Sequence, residues 1–514
     1  MAFENDAGNR MVSAANVGPR SGVEFVRPEL EAMFADYDLI EHCLEGSRCV
    51  KDKGSIYLPM PEPLNKEPSN LQRYEDYKTR AVFYNVTQRT ALGLLGQIFK
   101  RAPEVKTPTT LEQVVTDSDG SGISLTQLSR DASWLVLGWG RAGVFVDYPN
   151  SPQVATRQDL QKGNVRPTIN VYSAKNVINW RTRVVGSKTI LSLVVLRETY
   201  NDETDEFETK IGVQYRVLKL NESNQYSVQL WRASSVEGSD FAKYQDEYFP
   251  VGGSGQLLDA IPFTFIGSKN NEPSIDPSPL LDLANVNIAH YRNSADYEEM
   301  VFLVGQPMLV VSGLDSEWYK EILGGEIPFG SRSGLALPKD ASADLLQVED
   351  NSAAFEAMEH KERQMVALGA KIVQEQSVQR TATEAGNETA AEETTLVAIA
   401  NNVSTAVKWA LEWCAVFLNT SEKNIEYKLN TDFELARMSG DDVAKVIKSW
   451  QDGAISWTEM RSIIRNAGRT TLPDEEAKAE IKKAETEAIE SAALSIGLNT
   501  EAENSAGPAS ADQL

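Results

Sequence analysis

Three glycines in the first third of the chain have the spacing of a nucleotide-binding loop. Gly138, Gly140 and Gly143 match GxGxxG, which binds a pyrophosphate when it follows a strand and opens a helix. Here the preceding residues, SWLVL, have a helical pattern and the following ones, GVFVDYP, a strand pattern. The order is reversed and no βαβ unit follows. We therefore predict a helix-to-strand turn that needs glycine for its backbone conformation.

Two further segments have the composition of a ligand-binding loop without its spacing. DSDGSG, starting at Asp117, resembles the start of a calcium loop, but the position that needs a bidentate Glu is Leu128. The segment from Val185 to Thr189 lacks the spacing of a P-loop. Both are predicted to be ordinary turns.

The histidines offer no catalytic set. His42, His290 and His360 fall in separate predicted helices, and none has a partner at ligand spacing. Cys43 follows His42 directly, so it faces another side of the helix. The acidic residues form no local pattern that singles out a carboxylate pair. We predict no catalytic residue, no metal site and no cofactor, and hence a protein that is not an enzyme.

The amino-acid composition limits which molecules the protein can bind. The 514 residues contain 50 Lys and Arg against 74 Asp and Glu, which gives a net charge of −24. Such an average surface repels nucleic acid, so any DNA contact needs a local basic patch or a surface on which DNA slides. Three cysteines indicate a reducing compartment. The N-terminal residues lack a signal-peptide pattern, and the apolar run from Met300 to Val311 is too short to span a membrane.

Periodicity predicts a mixture of helices and strands. Helices are expected from Pro28 to Lys51 and, with a strong amphipathic stripe, over residues 71–103. From Arg166 to Phe265 the apolar period changes to two, which predicts one antiparallel sheet with IPFTFIG as its last strand. The chain is therefore of the α+β class.

The rest of the chain is organised around residues 277–393. A helix there is followed by a β-like excursion, a second helix and a polar, acidic, loop-like segment. Neither helix has the single apolar stripe of a surface helix, which predicts a helical hairpin that packs against copies of itself. A long buried helix begins near Leu396, and a helix pair broken at Asp452-Gly453 lies near the C-terminus.

The order of these elements resembles that of tailed-bacteriophage portal proteins, in particular a large acidic branch of them. The resemblance runs from about Tyr74 to Phe417, and its order and spacing are more specific than any single motif. The segments that carry it are YKTRAVFYNVTQRTALGLLGQIFKRAPEV, RPTINVYSAKNVINWR, SPLLDLANVNIAHYRNSADYEEMVFLVGQPMLVVSG, MVALGAKIV and the TATEA segment.

The resemblance implies a portal-type fold with a mixed α/β wing, a two-helix stem, a small β-containing clip and a helical crown. The corresponding segments are an N-terminal arm (1–22), the wing (23–277), the first stem helix (278–304), the clip (305–350), the second stem helix (351–373), a tunnel loop (374–393), a long wing helix (394–423), the crown (424–497) and a disordered tail (498–514).

The resemblance also implies a function. Portal subunits form a dodecameric ring at one capsid vertex, and double-stranded DNA passes through the channel during packaging and ejection, without sequence specificity. The implied partners are the terminase large subunit, head-to-tail adaptor or tail proteins, and major capsid and scaffold proteins, with no membrane. The implied location is the virion, after assembly in the bacterial cytoplasm. The alternative is a minor head or connector protein without a closed ring.

Two sets of residues are expected to carry this role. Small and apolar side chains of the first stem helix should pack between subunits: Leu280, Leu281, Ala284, Ile288, Tyr291 and Ala295. Polar and charged side chains of the tunnel loop should face DNA: Gln374, Gln376, Gln379, Arg380, Glu384 and Glu388. A wall rich in amides and carboxylates does not hold phosphates, so DNA can slide, with Arg380 as the exception that touches a phosphate transiently.

Overall fold

The computed structural model describes the greater part of the chain. The described residues are 22–148, 166–202, 207, 210–233, 241–305, 308–313, 315–322, 337–346, 352–372, 394–433, 440–466, 470, 474, 476–480 and 482–483. They divide into two compact units, Met1–Thr431 and Asp432–Leu514.

Between residues 28 and 52 the helical pattern forms α1 (Pro28–Glu31), α2 (Phe34–Glu45) and α3 (Ser47–Asp52). The prediction of one continuous helix is wrong here. Gly46, with φ of 97°, ends α2 in a conformation that other residues rarely adopt. The buried side chains of α2 include Tyr37, Ile40 and Cys43.

The strongest amphipathic segment is also divided. α4 spans Pro68–Arg80 and α5 spans Val86–Ile98, so the single helix predicted over residues 71–103 is wrong. Residues 81–85 have no helical structure. Asn85 then starts α5, because its side chain accepts a hydrogen bond from the Gln88 backbone N–H at 3.1 Å.

Short elements lead to a buried helix. β1 (Glu104–Lys106) and α6 (Glu112–Thr116) precede α7 (Leu125–Trp139). The Ser124 side chain caps the start of α7 by accepting from the Gln127 N–H.

The strands predicted as one sheet form two. In the small sheet, β2 (Arg141–Asp147) lies between β3 (Thr168–Ser173) and β9 (Phe263–Gly267), antiparallel to both. The central strand β2 is buried over nearly its whole length. IPFTFIG therefore supplies an edge of the small sheet rather than the last strand of the longer one.

The other strands form an antiparallel meander in sequence order, which we call the meander sheet. Its strands are β4 (Val177–Val185), β5 (Lys188–Asp202), β6 (Lys210–Leu220), β7 (Tyr226–Ala233) and β8 (Phe241–Lys243). The hairpin connections predicted for this region are confirmed.

A largely buried charge network connects the two sheets. Arg216 on β6 donates to Glu198 on β5 at 2.8 Å and to Asp147, at the end of β2, at 3.0 Å. Tyr172 on β3 donates to the same Glu198 at 2.8 Å. The guanidinium pairs with two carboxylates, so the charges that burial desolvates are compensated.

The central segment forms a helical hairpin with a β-ribbon. α8 (Leu281–Val304) leads to β10 (Met308–Ser312), a π-helical turn (Trp318–Ile322), β11 (Ser342–Leu346) and α9 (Ala353–Lys371). β10 and β11 pair antiparallel over their full lengths. The chain continues with α10 (Thr395–Phe417) and β12 (Glu426–Lys428), which pairs with β1.

The core of the first unit lies where α7 and α10 pack on each other and on the small sheet. α10 buries much of its surface, as its apolar periodicity predicts. Leu396, Val403 and Leu411 are fully buried, and each contributes about 2 kcal/mol by leaving water.

The second unit contains α11 (Gly440–Gln451) and α12 (Trp457–Asn466), which confirms the predicted helix pair. Gly453, with φ of 78°, lies in the turn between them. Ser456 and Glu459 form a capping box at the start of α12, each side chain accepting from the other's backbone N–H.

Candidate functional site

The two helices of the central hairpin run antiparallel. His290 of α8 meets Glu362 of α9, with 3.4 Å between the imidazole Nε2 and the carboxylate. Seven residues further along α8, the ring of Tyr297 lies 5.9 Å from that of Phe355. Partner numbers fall on α9 as they rise on α8, which fixes the antiparallel direction.

The first turn of α8 is anchored to the glycine motif. Gly140 ends α7 in the left-handed conformation, with φ of 72°. A Cβ at this position would lie 2.5 Å from the carbonyl oxygen of Pro277. The Ser278 hydroxyl donates to the Gly138 carbonyl at 2.5 Å. The prediction of a helix-to-strand turn that needs glycine is confirmed, and this turn holds the base of the hairpin.

Asn287 fixes α8 to the break between α4 and α5. Its side-chain oxygen accepts from the backbone N–H groups of Val86 and Thr87 and from the Thr87 hydroxyl, at 2.9–3.2 Å. Its amide nitrogen donates to the Tyr84 carbonyl at 2.8 Å. Asn287 is fully buried, so these contacts satisfy groups that water does not reach.

Ser294 repeats this contact two turns further along the helix. Its hydroxyl accepts from the backbone N–H of Val82 at 2.8 Å. The non-helical residues 81–85 thus lie along α8 with their backbone groups bound by its polar side chains. We call Asn287 and Ser294 the α8 brace.

Charged side chains of α4 extend the contact along α8. Tyr77 donates to Asp296 at 2.6 Å, and Glu299 forms ion pairs with Arg80 and, at 3.5 Å, with Arg73. The Glu299 side chain is only 15% exposed. A half-buried carboxylate with two guanidinium partners orients the helices more firmly than an exposed pair does.

His290 occupies the contact between α8, α9 and the α4–α5 break. Its side chain is buried, and the ring of Tyr84 lies 5.9 Å away. Burial lowers the pKa of His290, and the hydrogen bond and charge of Glu362 oppose that shift. The imidazole is thus a neutral packing group near pH 7.

Towards its far end the hairpin presents apolar side chains to solvent, although the Arg80 guanidinium of α4 lies 4.3 Å from the centre of the Phe302 ring. Three consecutive residues at the end of α8, Val301, Phe302 and Leu303, are each 41–46% exposed. Consecutive helical residues point in directions about 100° apart, so more than one side of the helix is uncovered. On α9, Phe355 near the same end is 45% exposed, and Val366, on the base side of Glu362, is 72% exposed.

The residues predicted to pack between subunits have other neighbours. Leu280, Ala284, Ile288, Tyr291 and Ala295 are buried inside this chain, and Leu281 is half-buried. Tyr291, for example, packs edge-on against Phe83 of the α4–α5 break. The chain itself accounts for their burial, and their role as contacts between subunits stays an untested prediction.

The predicted DNA-facing residues are outside the described part of the chain. Gln374, Gln376, Gln379, Arg380, Glu384 and Glu388 all fall within 373–393, for which no structure is described. Their role therefore stays a prediction.

The remaining candidate motifs have structural partners. Asp117 accepts from the Gly120 and Gly122 N–H groups at 2.9 Å and pairs with Arg166, which confirms a turn. His42 shares a 2.6 Å hydrogen bond with Tyr57.

No three His, Cys, Asp or Glu side chains within the described ranges group closely enough to hold a metal ion. Of the helices described, none combines the length and apolarity needed to cross a membrane.

Sequence reasoning missed the α8 brace and the Glu299 ion pairs. The available signal was polar Asn287 and Ser294 among the apolar positions of a helix that is otherwise buried at its base. A buried polar side chain needs a partner, but periodicity does not identify the partner, which here comes from more than two hundred residues away.

Comparison with known proteins gives two kinds of match. A family model described as a domain of unknown function (DUF4055) matches residues 279–418, which include the hairpin and α10. No curated protein matches the chain.

Three similar chains among solved structures come from gene transfer agent particles. The neck of an empty particle, computed with C6 symmetry, is 12% identical, with a TM-score of 0.38 over 74% of this chain and 90% of that one. The neck of a native particle, computed with C12 symmetry, is 13% identical, with a TM-score of 0.38 over 74% and 89%. The virion of a native particle is 14% identical, with a TM-score of 0.36 over 76% and 92%.

Proposed function

We propose that this chain is the subunit of a phage portal, a closed ring with an axial channel through which double-stranded DNA passes. In the proposal the ring has twelve copies and occupies one vertex of the capsid in the virion. It does no chemistry itself. A separate terminase motor hydrolyses ATP, and the ring is the docking site first for terminase and then for adaptor or tail proteins.

The observation that carries the proposal is the braced hairpin. Its base is held by hydrogen bonds and ion pairs of one chain, whereas its far end presents apolar side chains on more than one side. A monomer does not benefit from an uncovered apolar helix end, but neighbours on both sides would bury it. A subunit that meets one copy with one face and the next copy with another forms a ring when the rotation closes.

The proposed lack of enzymatic activity has support in the sequence and in the described site. The chain has no P-loop, and the polar groups at the base of the hairpin bind each other. Asn287, Ser294 and Glu299 hold secondary-structure elements in place and present no nucleophile–base pair.

Native mass spectrometry and negative-stain imaging of the purified full chain test the proposal. We expect a closed ring with a central hole. Val301→Ser combined with Leu303→Ser should reduce the ring fraction several-fold, because both side chains belong to the uncovered end of α8. Val251→Ser combined with Leu257→Ser is the matched control, since these residues are 42% and 47% exposed and lie outside the hairpin.

A stable monomer, or an open oligomer without a hole, would contradict the portal assignment. The open oligomer would favour a minor head or connector protein without a closed ring. Equal effects of the α8 variant and the Val251/Leu257 control would show that the α8 end is not the contact.

A further inference from the structure

The end of the β4–β5 hairpin extends beyond the rest of the meander sheet. The ladder between β5 and β6 begins at Leu193, so residues 182–185 and 188–191 form strand pairs only with each other. A β-bulge between Arg181 and Thr182 separates this part from the buried start of β4. We call residues 181–192 the hairpin tip.

Both faces of the hairpin tip carry an exposed valine. Val184 and Val185 point to opposite faces of the strand, and they are 72% and 40% exposed. The first half of β4 differs, because Val177, Ile178 and Trp180 are buried. A two-stranded ribbon with exposed β-branched apolar residues on both faces gains stability when another surface covers them.

The tip is also the basic part of an acidic molecule. No Asp or Glu occurs from residue 160 to residue 197, although the chain contains 74 acidic residues, and this run carries seven Lys or Arg. Three of them, Arg181, Arg183 and Lys188, lie on the hairpin tip. Among the described residues, no carboxylate forms an ion pair with any of these three.

Arg183 has a structural task within the chain. Its guanidinium donates to the Asn221 carbonyl at 3.2 Å and to the Asn224 side chain, which connects the tip to the β6–β7 turn. Arg181 and Lys188 are exposed and flank the two valines.

We propose that the hairpin tip is a docking element for the acidic surface of a second copy of this chain. The net charge of −24 makes that surface, on average, the electrostatic complement of the tip. Val184 and Val185 favour a protein partner over DNA, because a phosphate backbone offers no apolar surface to cover them. This inference rests on the proposed function, since it needs copies side by side.

A photo-crosslinking amino acid in place of Val184 tests the contact in the full chain at 150 mM salt. We expect crosslinked dimers and a ladder of higher species. The double variant Arg181→Glu with Lys188→Glu should reduce the crosslinked fraction at least five-fold. Arg48→Glu with Lys66→Glu is the matched control, because both residues are exposed and the net charge changes by the same amount. It should reduce the crosslinked fraction much less than the tip variant does.

Native mass spectrometry on the same samples separates the two proposals. Rings without a crosslink at Val184, or equal effects of the two charge reversals, would overturn the docking role and leave the portal assignment standing. Absence of any oligomer would overturn both. A short DNA duplex in a parallel sample provides the remaining outcome: a crosslink to DNA in place of a second copy would also overturn the proposal.

Discussion

At the scale of single residues, Gly140 shows how a sequence motif acquires its meaning from its position. Its GxGxxG spacing is that of a phosphate-binding loop, but the left-handed turn follows a helix and faces the Pro277 carbonyl. The glycine is required twice, once by its φ and once by the space that a Cβ would occupy. These requirements have separate costs.

We expect Gly140→Ala to lower the free energy of unfolding by about 3 kcal/mol or more. The left-handed conformation alone costs a residue with a Cβ about 1–2 kcal/mol, and the clash with a backbone carbonyl adds to it. Gly186→Ala is the control, because Gly186 has φ of 63° but no atom within 4 Å of the added Cβ. Denaturant unfolding measures both, and equal losses would show that the contact with Pro277 has no cost.

His42 makes the stability of the first unit depend on pH. It is 6% exposed, and burial lowers its pKa to about 4, against about 6.5 in an unfolded chain. As pH falls from 6.5 towards 4, the unfolded chain therefore binds a proton that the folded chain does not, and the folded state loses stability. Between pH 7.5 and pH 5.0 this loss is about 2 kcal/mol.

His42→Gln should remove that part of the pH dependence while retaining a hydrogen-bonding group near Tyr57. The measurement is the free energy of unfolding at both pH values, with the change compared between variant and parent. His360→Gln, in an exposed position on α9, is the control for loss of a histidine. If the His42 variant lost as much stability on acidification as the parent chain, this explanation would be wrong.

At the scale of elements, the sequence predicted the central hairpin well and the elements around it less well. The helical spacing of apolar residues, on more than one side of each helix, indicates where α8 and α9 lie. It did not predict the break at residues 81–85, since Ala81 and Tyr84 are apolar and continue the pattern of α4. The break depends on Asn287 and Ser294, which bind the freed backbone groups from another part of the chain.

The apolar periodicity also could not predict that the strands divide into two sheets, because it does not show which strands pair. Alternation predicts that IPFTFIG is a strand, but not that β9 pairs with β2 rather than β8. That choice depends on β2, which is buried and pairs on both sides. The sequence predicted in part that α8 exposes apolar side chains. It predicted apolar residues on more than one side of the helix, but it named residues that the chain itself covers.

The α8 brace gives a prediction at this scale. Asn287→Ala should lower the free energy of unfolding by about 3 kcal/mol, because it leaves buried N–H groups of Val86 and Thr87 without an acceptor, each costing about 1–3 kcal/mol. It should also speed tryptic cleavage after Arg80, beside the non-helical residues. Asn285→Ala, at an exposed position on the same helix, should change the free energy by less than about 0.5 kcal/mol. Unchanged cleavage in the Asn287 variant would count against the brace.

At the scale of the whole molecule, charge decides how readily copies meet. Each copy carries −24, so neighbours in the proposed ring would repel one another, whereas the proposed contact of the hairpin tip would add a local attraction. The two effects have different ranges. Repulsion between exposed charges acts over about 10 Å at 0.1 M salt and about 3 Å at 1 M, while a contact that excludes water is screened much less.

We therefore expect the ring fraction of the parent chain to rise as NaCl increases from 20 to 200 mM and then to level off.

Arg181→Glu with Lys188→Glu changes the net charge from −24 to −28, since each reversal removes a positive and adds a negative charge. This variant should need more salt than the parent to reach half of its final ring fraction, and its plateau should be lower because the tip contact is lost. Arg48→Glu with Lys66→Glu, also at −28, should share the shift in salt but reach the parent plateau. Native mass spectrometry or sedimentation velocity across the salt series measures both quantities. A ring fraction independent of ionic strength in all three proteins would show that apolar burial at the hairpin ends, and not charge, controls assembly.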